Sequence, residues 1–313
     1  MIKGYRKQKL IKAGHIKVDD VHEIYYEEYG NPKGIPVIYL HGGPGGSTSK
    51  KCCYFFDPKK YHIILYDQRG TGNSKPLLST RNNTIFHLVE DIKLFKQFFK
   101  FDRMILFGGS FGSTLALAYA IKYPEDIKRL VLRGIFLGRQ EDVDWLYKEG
   151  ASYFYPEEHK KFVEILDEKD NPIESYYKIF SSNNTTLANK AMIKFSNYEA
   201  NLVSLNYNPK KEYDSPTQHQ KTIAFYEDYY FQNHTFLGDD NYILSNKDKY
   251  RNLKIDIIHG RYDMVCRPIA AYQLYEGLTN ATLNFITYAG HSSFEEPMFK
   301  ELISLMDKIK KEK

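Results

Sequence analysis

The sequence predicts an α/β fold in which a mostly parallel central sheet is interrupted by one long helical insertion. Three observations carry this reading: apolar, β-branched runs of strand length, helical patterns between them, and a break in that rhythm after Leu137. The strand-like runs are "EIYYEEYG", "PVIYLHG", "HIILYDQ", "MILFGGS", "RLVLRGIF", "IDIIHGR" and "LNFITYAG". The last five are continuously apolar rather than alternating, as expected of strands covered on both faces of a parallel sheet. The opening segment, with "KAGH" between two polar stretches, reads instead as an antiparallel hairpin at the sheet edge. "TIFHLVEDIKLFKQFF" and "STLALAYAIKYPEDI" supply helices for right-handed crossovers between parallel strands.

From Gly138 to Tyr250 no strand-like run interrupts helical, aromatic-rich sequence such as "HKKFVEILDEKDNPIESYYKIF", and strands resume at Ile255. A crossover needs only about a dozen residues, so this stretch reads as an inserted helical cap over one end of the sheet. The expected division is 1–137 and 251–313 for the core and 138–250 for the cap.

Composition narrows the function classes. The chain has 313 residues, 42% hydrophobic and 27% charged, with a net charge of +5. That balance is ordinary for a globular enzyme, and no recognition module accompanies the mild basicity, so no nucleic-acid partner is expected. The N-terminus lacks the apolar core of a signal peptide, and no run approaches the ~20 apolar residues of a membrane span. Three cysteines, Cys52, Cys53 and Cys266, make no disulfide framework and fit a reducing cytosol. His22-Glu23 lacks the second His of a zincin and no Cys-x-x-Cys occurs, so neither metal nor cofactor is expected.

"VIYLHGGPGGSTSK" places a glycine-rich loop directly after an apolar strand. Its spacing fits neither a phosphate-binding loop, which needs Lys directly after the last Gly, nor a dinucleotide fingerprint, which needs Gly where Thr48 stands. An oxyanion hole remains, and it calls for a nucleophile downstream. Gly108-x-Ser110-x-Gly112 lies between a predicted strand and a predicted helix, the setting of a nucleophile elbow. A serine needs a base and the base an orienting carboxylate, and in this architecture they follow in the order Ser, acid, His after late strands. Asp263 in "IDIIHGRYDMVC" and His291 in "LNFITYAGHSSFEEP" meet that requirement. The oxyanion donors are then the backbone N–H of Phe111, just after the nucleophile, and that of Gly43.

"HGGPGG", "DQRGTGNS", "GGSFGSTLALAYA", "HGRYDM" and "GHSSFEEP" together resemble the proline iminopeptidases of the α/β-hydrolase superfamily, over nearly the whole chain. One departure is Phe111, where the family usually carries Trp; the backbone N–H there is what the chemistry uses. The resemblance implies an α/β-hydrolase fold with a helical cap and removal of N-terminal proline from peptides. By the same resemblance, Glu199 and Glu227 are cap carboxylates that bind the substrate's amine, and Phe136, Tyr147 and Phe231 form a pocket for the proline ring. Asp67, Gln68 and Arg69 are expected to brace loops, and Cys266 to lie near enough for a bulky adduct to obstruct the site. The alternatives are an esterase or amide hydrolase that uses the same triad without the amine anchor, and a catalytically idle hydrolase fold that serves as a binding protein.

Overall fold

The computed structural model describes residues 4–211 and 213–312. Eight strands form one sheet in the order β1-β2-β4-β3-β5-β6-β7-β8. They are β1 (Leu10–Lys17), β2 (Glu23–Gly30), β3 (Ile35–Leu40), β4 (Tyr61–Tyr66), β5 (Met104–Ser110), β6 (Ile127–Ile135), β7 (Ile255–Gly260) and β8 (Ala281–Ile286). β1 and β2 pair antiparallel, as do β2 and β4; every pairing from β3 to β8 is parallel.

The continuously apolar strands are explained by two cores, one on each face. Ile38, Leu40, Ile64, Leu106 and Leu132 face one core, with α1 (Ile85–Phe98), α2 (Phe111–Lys122) and the helical insertion packed on it. Val37, Tyr39, Ile63, Phe107 and Ile258 face the other. Successive side chains alternate between the faces, so a doubly covered strand must be apolar at every position. α2 is buried from Phe111 to Ile121, which is why "FGSTLALAYAI" shows no polar face.

Two expectations are corrected. "LNFITYAG" was expected to be covered on both faces, yet β8 is the sheet edge, pairs only with β7 and leaves Thr282 and Asn284 exposed. Its apolar residues Leu283, Phe285 and Ile286 are only partly buried, because an edge strand has one neighbour. The edge hairpin at the N-terminus is present, but "KAGH" lies inside β1, where Gly14 pairs with Tyr26. The turn comes later, at residues 18–22, where Asp19 Oδ1 accepts the N–H groups of Val21 and His22 at 2.8 and 2.7 Å. A local Asp cap overrides the glycine as the turn former.

Between β6 and β7 the described residues hold helices and no strand: α3 (Gln140–Tyr147), α4 (Ala151–Phe154), α5 (Pro156–Val163), α6 (Pro172–Phe180), α7 (Thr185–Leu202), α8 (Gln218–Gln232) and α9 (Tyr242–Ser245). α10 (Pro268–Tyr275) and α11 (Glu296–Ile309) follow β7 and β8. The inserted helices are tied to loops at the C-terminal end of the sheet. Trp145 Nε1 of α3 donates to Met264 O at 2.9 Å. Just beyond α7, Val203 O accepts Ser292 N–H at 2.7 Å. On α8, Gln218 donates to Gly72 O at 2.6 Å and Tyr226 to Ser79 O at 2.9 Å. No helix among the described residues is long and apolar enough to cross a membrane.

Asp67, Gln68 and Arg69 do brace the loops. Asp67 Oδ1 accepts both the N–H and the hydroxyl of Thr48, and Gln68 Nε2 donates to His41 O. Arg69 forks onto Asp91 of α1 at 2.7 and 2.6 Å and reaches Asp19 in the first hairpin at 2.6 Å. Arg69 and Asp91 are almost fully buried, so removing the guanidinium strands a carboxylate in the core. Arg69→Met is expected to lower the unfolding free energy by about 3–5 kcal/mol in urea denaturation. A loss below about 1 kcal/mol, the range of a surface pair, would contradict this account of the brace.

Candidate active site

The site begins with a backbone that only small neighbours permit. Ser110 ends β5 with φ 58° and ψ −131°, a strained conformation for a residue with a Cβ. α2 starts at the next residue. A Cβ on Gly108 would lie 2.2 Å from Gly112 O, and one on Gly112 would lie 2.3 Å from Leu40 O. The turn therefore closes only with glycine at both flanks, and it thrusts Ser110 out of the end of the sheet.

Asp263 and His291 meet in the loops after β7 and β8. His291 Nδ1 donates to Asp263 Oδ2 at 2.8 Å, while Asp263 Oδ1 accepts the backbone N–H groups of Val265 and Cys266 at 3.0 and 2.8 Å. Burial opposes ionisation of this carboxyl group, but His291 and these donors outweigh it and hold the pKa below the usual carboxylate range. With Nδ1 carrying its proton toward Asp263, Nε2 presents a lone pair, the tautomer a general base needs.

In this structure the partner of His291 Nε2 is Arg133 rather than Ser110. Arg133 Nη1, from β6, lies 3.1 Å from His291 Nε2 and donates to His291 O at 2.7 Å. Ser110 Oγ instead lies 4.0 Å from Cys266 Sγ. The guanidinium lies across Gly109, beside the nucleophile, where a Cβ would come within 2.3 Å of Nη2. Arg133 was not singled out from the sequence. Its only signal there is a charge inside an otherwise apolar run, "RLVLRGIF".

One small cavity is walled by Ser110, Gly43, Phe136, Glu199, Phe231 and Cys266 among others. It thus gathers residues from the glycine loop, the elbow, the residue just beyond β6 and the inserted helices α7 and α8. Phe136 is placed by the elbow helix: Thr114 Oγ1 donates to its carbonyl at 2.6 Å and Ser113 Oγ accepts its N–H at 3.2 Å. Phe136 and Phe231 pack with ring centroids 5.6 Å apart, and Tyr147 packs on Phe231 at 5.8 Å. Tyr147 and Glu227 stand one layer behind the wall, both fully buried, with the Tyr147 hydroxyl donating to Glu227 Oε2 at 2.8 Å. Burial, then the charge of Glu199, pushes Glu227 well above the usual carboxylate range.

Phe111 is the first residue of α2, where helix geometry leaves the backbone N–H without an intrahelical partner. Its ring turns away into the core and meets Tyr230 edge-on at 5.3 Å. His219, eight residues before Glu227 on α8, lies within electrostatic reach of Glu199 and His41. It too was missed, since nothing in its local sequence marks it. Burial pushes the Cys266 thiol well up, so it is a poor nucleophile despite lining the cavity. Among the described residues, no cluster of three or more His, Cys, Asp or Glu side chains could hold a metal ion.

The sequence matches the α/β hydrolase fold family over residues 35–297. It is 38% identical over 304 residues to the proline iminopeptidase of Arabidopsis thaliana, covering 95% of this chain and 80% of that protein. It is 37% identical over 309 residues to the proline iminopeptidase of Neisseria meningitidis serogroup B, covering 97% and 98%. The chain belongs to the proline iminopeptidase family. Solved structures agree at the level of fold. An α/β hydrolase from a Medee basin deep-sea metagenome library superposes with a TM-score of 0.63 at 18% identity, covering 96% of this chain and 98% of the other. An esterase from Exiguobacterium antarcticum gives 0.59 at 19% identity, covering 96% and 100%.

The glycine after Arg133 allows a direct test of the geometry. Gly134 has φ +54°, and a Cβ there would lie 2.9 Å from His291 Cε1. Gly134→Ala is expected to push the imidazole off line and lower kcat by about 100-fold, with circular dichroism unchanged. Unaltered kcat would mean that the position of His291 does not limit the reaction.

Proposed function

We propose that this chain is a cytosolic serine exopeptidase that releases proline from the N-terminus of peptides. The observation that carries the reading is the shared cavity: a strained serine, a carboxylate and two aromatic rings in one enclosure, with a second carboxyl group directly behind. A carboxyl group in the nucleophile's own cavity, backed by a fully buried second one, suits a substrate that brings a cation to the scissile bond.

In this reading residues 1–137 and 251–313 form the catalytic core and 138–250 the cap that closes the substrate site. The proline ring lies against Phe136 and Phe231, with Tyr147 packed behind Phe231 rather than against the ring, and its ammonium group is held by Glu199 and Glu227. Substrate displaces the Arg133 guanidinium from His291 Nε2, freeing the lone pair. Ser110 Oγ then attacks the carbonyl carbon as His291 takes its proton. Asp263 keeps the imidazole in the productive tautomer and stabilises the imidazolium. The N–H groups of Gly43 and Phe111 receive the developing oxyanion. His291 passes the proton to the departing amine, and water, activated by the same imidazole, cleaves the acyl-enzyme to release proline.

The reading is tested by comparing a proline arylamide, its N-acetylated twin and a short acyl ester on the parent protein, Ser110→Ala and Glu227→Gln. The free-amine compound is expected to be strongly preferred. Ser110→Ala should lose activity by several orders of magnitude. Glu227→Gln should cost about 10- to 100-fold in kcat/KM on the free-amine substrate alone, as expected for a lost charged hydrogen bond. Equal or faster turnover of the acetylated compound or the ester would make the protein an esterase or amidase instead.

A further inference from the structure

The two glutamates face a charge problem whenever the pocket is empty. Glu227 is 0% exposed. Its Oε2 is satisfied by the Tyr147 hydroxyl at 2.8 Å. Its Oε1 has no N–H or O–H donor among the described residues, and the Glu199 carboxyl group is close enough to act on it electrostatically. Glu227 is fully buried while Glu199 is only partly buried, so with a second carboxyl group beside it and no cation on it, the charged form of Glu227 is the costly one.

Among the described residues, the groups that act on Glu227 are Glu199 and Tyr147, and neither is a cation. Tyr147 of α3 is a neutral phenol, pushed well above its usual range by burial and by the two glutamates. His219 of α8 faces Glu199, but burial favours its neutral form over that carboxylate's pull. Tyr198 of α7 spends its hydroxyl on Leu146 O at 2.8 Å. Cys266, across the cavity, is a neutral thiol. The open position at Oε1 therefore fits one proton on Glu227.

We propose that Glu227, with the Glu199 carboxyl group beside it, holds one proton while the amine subsite is empty, and that the substrate's ammonium group replaces it, sending the proton to solvent. The inference rests on the assignment of these glutamates to the substrate amine. The charges balance: the empty pair with its proton carries −1, and two carboxylates around one ammonium also carry −1. The proton leaves to water or buffer, and no covalent bond changes. Keeping the same net charge in the empty and filled pocket limits the cost of burying Glu227 beside a second acid. It also sharpens selection, because an N-acylated peptide brings no cation to exchange for the proton. A proton that competes with substrate makes binding weaken as pH falls, by about tenfold per pH unit while the pair is protonated.

The test is calorimetric titration of the Ser110→Ala protein with L-prolinamide near neutral pH, in phosphate and in Tris, whose ionisation heats differ. About one proton should be released per ligand bound, and Kd should rise about tenfold for each unit of pH lost. Adding Glu227→Gln should bring proton release close to zero and flatten the pH dependence. Preferential binding of prolinamide over N-acetylprolinamide with no proton release in either buffer would overturn the proton on Glu227 while leaving the amine subsite standing. Equal binding of the two ligands would overturn the amine subsite itself, and this inference with it. If the Glu227→Gln protein does not fold, proton release and its pH dependence in Ser110→Ala alone decide the matter.

Discussion

Everything at the site depends on three backbones meeting where no side chain fits. Gly108 touches the first turn of α2, Gly112 touches the end of β3, and Ser110 is forced to a positive φ between them. Because that packing leaves no slack, the nucleophile, the first N–H of α2 and the glycine loop form one rigid unit. The strain is sustained by the helix that follows. α2 is buried throughout, and its Ser113 and Thr114 hydroxyls bond the elbow carbonyl and the end of β6. Burial of that length of apolar helix stabilises the fold by far more than the few kcal/mol such a backbone conformation costs.

On this frame, environment alone separates acids of similar intrinsic strength. Asp263 is as buried as Glu227, but it accepts two backbone N–H groups and an imidazole, so it stays ionised and orients a base. Glu227 has one phenol and another carboxyl group for company, so its neutral form is favoured. Arg133 adds a further control. Its guanidinium lies against His291 Nε2, and the proposed mechanism requires substrate to displace it. The inserted helices connect these parts, because α3, α8 and the end of α7 are each tied to a loop that belongs to the catalytic core.

Much of this was legible in the sequence where one residue type answers one constraint. Continuous apolar runs marked the doubly covered strands, the Gly-x-Ser-x-Gly spacing marked the elbow, and Asp263 and His291 stood where strands end. The same logic misled at β8, whose apolar run belongs to an edge, since composition does not say how many neighbours a strand has. It misled at Gly14 as well, because glycine permits a turn without requiring one. Glu199 and Glu227 look like ordinary helix-surface acids, and only the family resemblance singled them out. What buries Glu227 is the stacking of α3 and α7 against α8, a tertiary fact with no local trace. Arg133 left a faint mark, a charge in a buried strand, whose meaning depends on a loop more than 150 residues away.

The most direct test of the central claim is a crystal structure of the Ser110→Ala protein with a Pro-Ala dipeptide bound. The account predicts the ring between Phe136 and Phe231 and the amine within hydrogen-bonding distance of Glu199 and Glu227. It also predicts the scissile carbonyl over position 110 and Arg133 withdrawn from His291 Nε2. A dipeptide with its amine in solvent, or with its carbonyl out of reach of position 110, would contradict it.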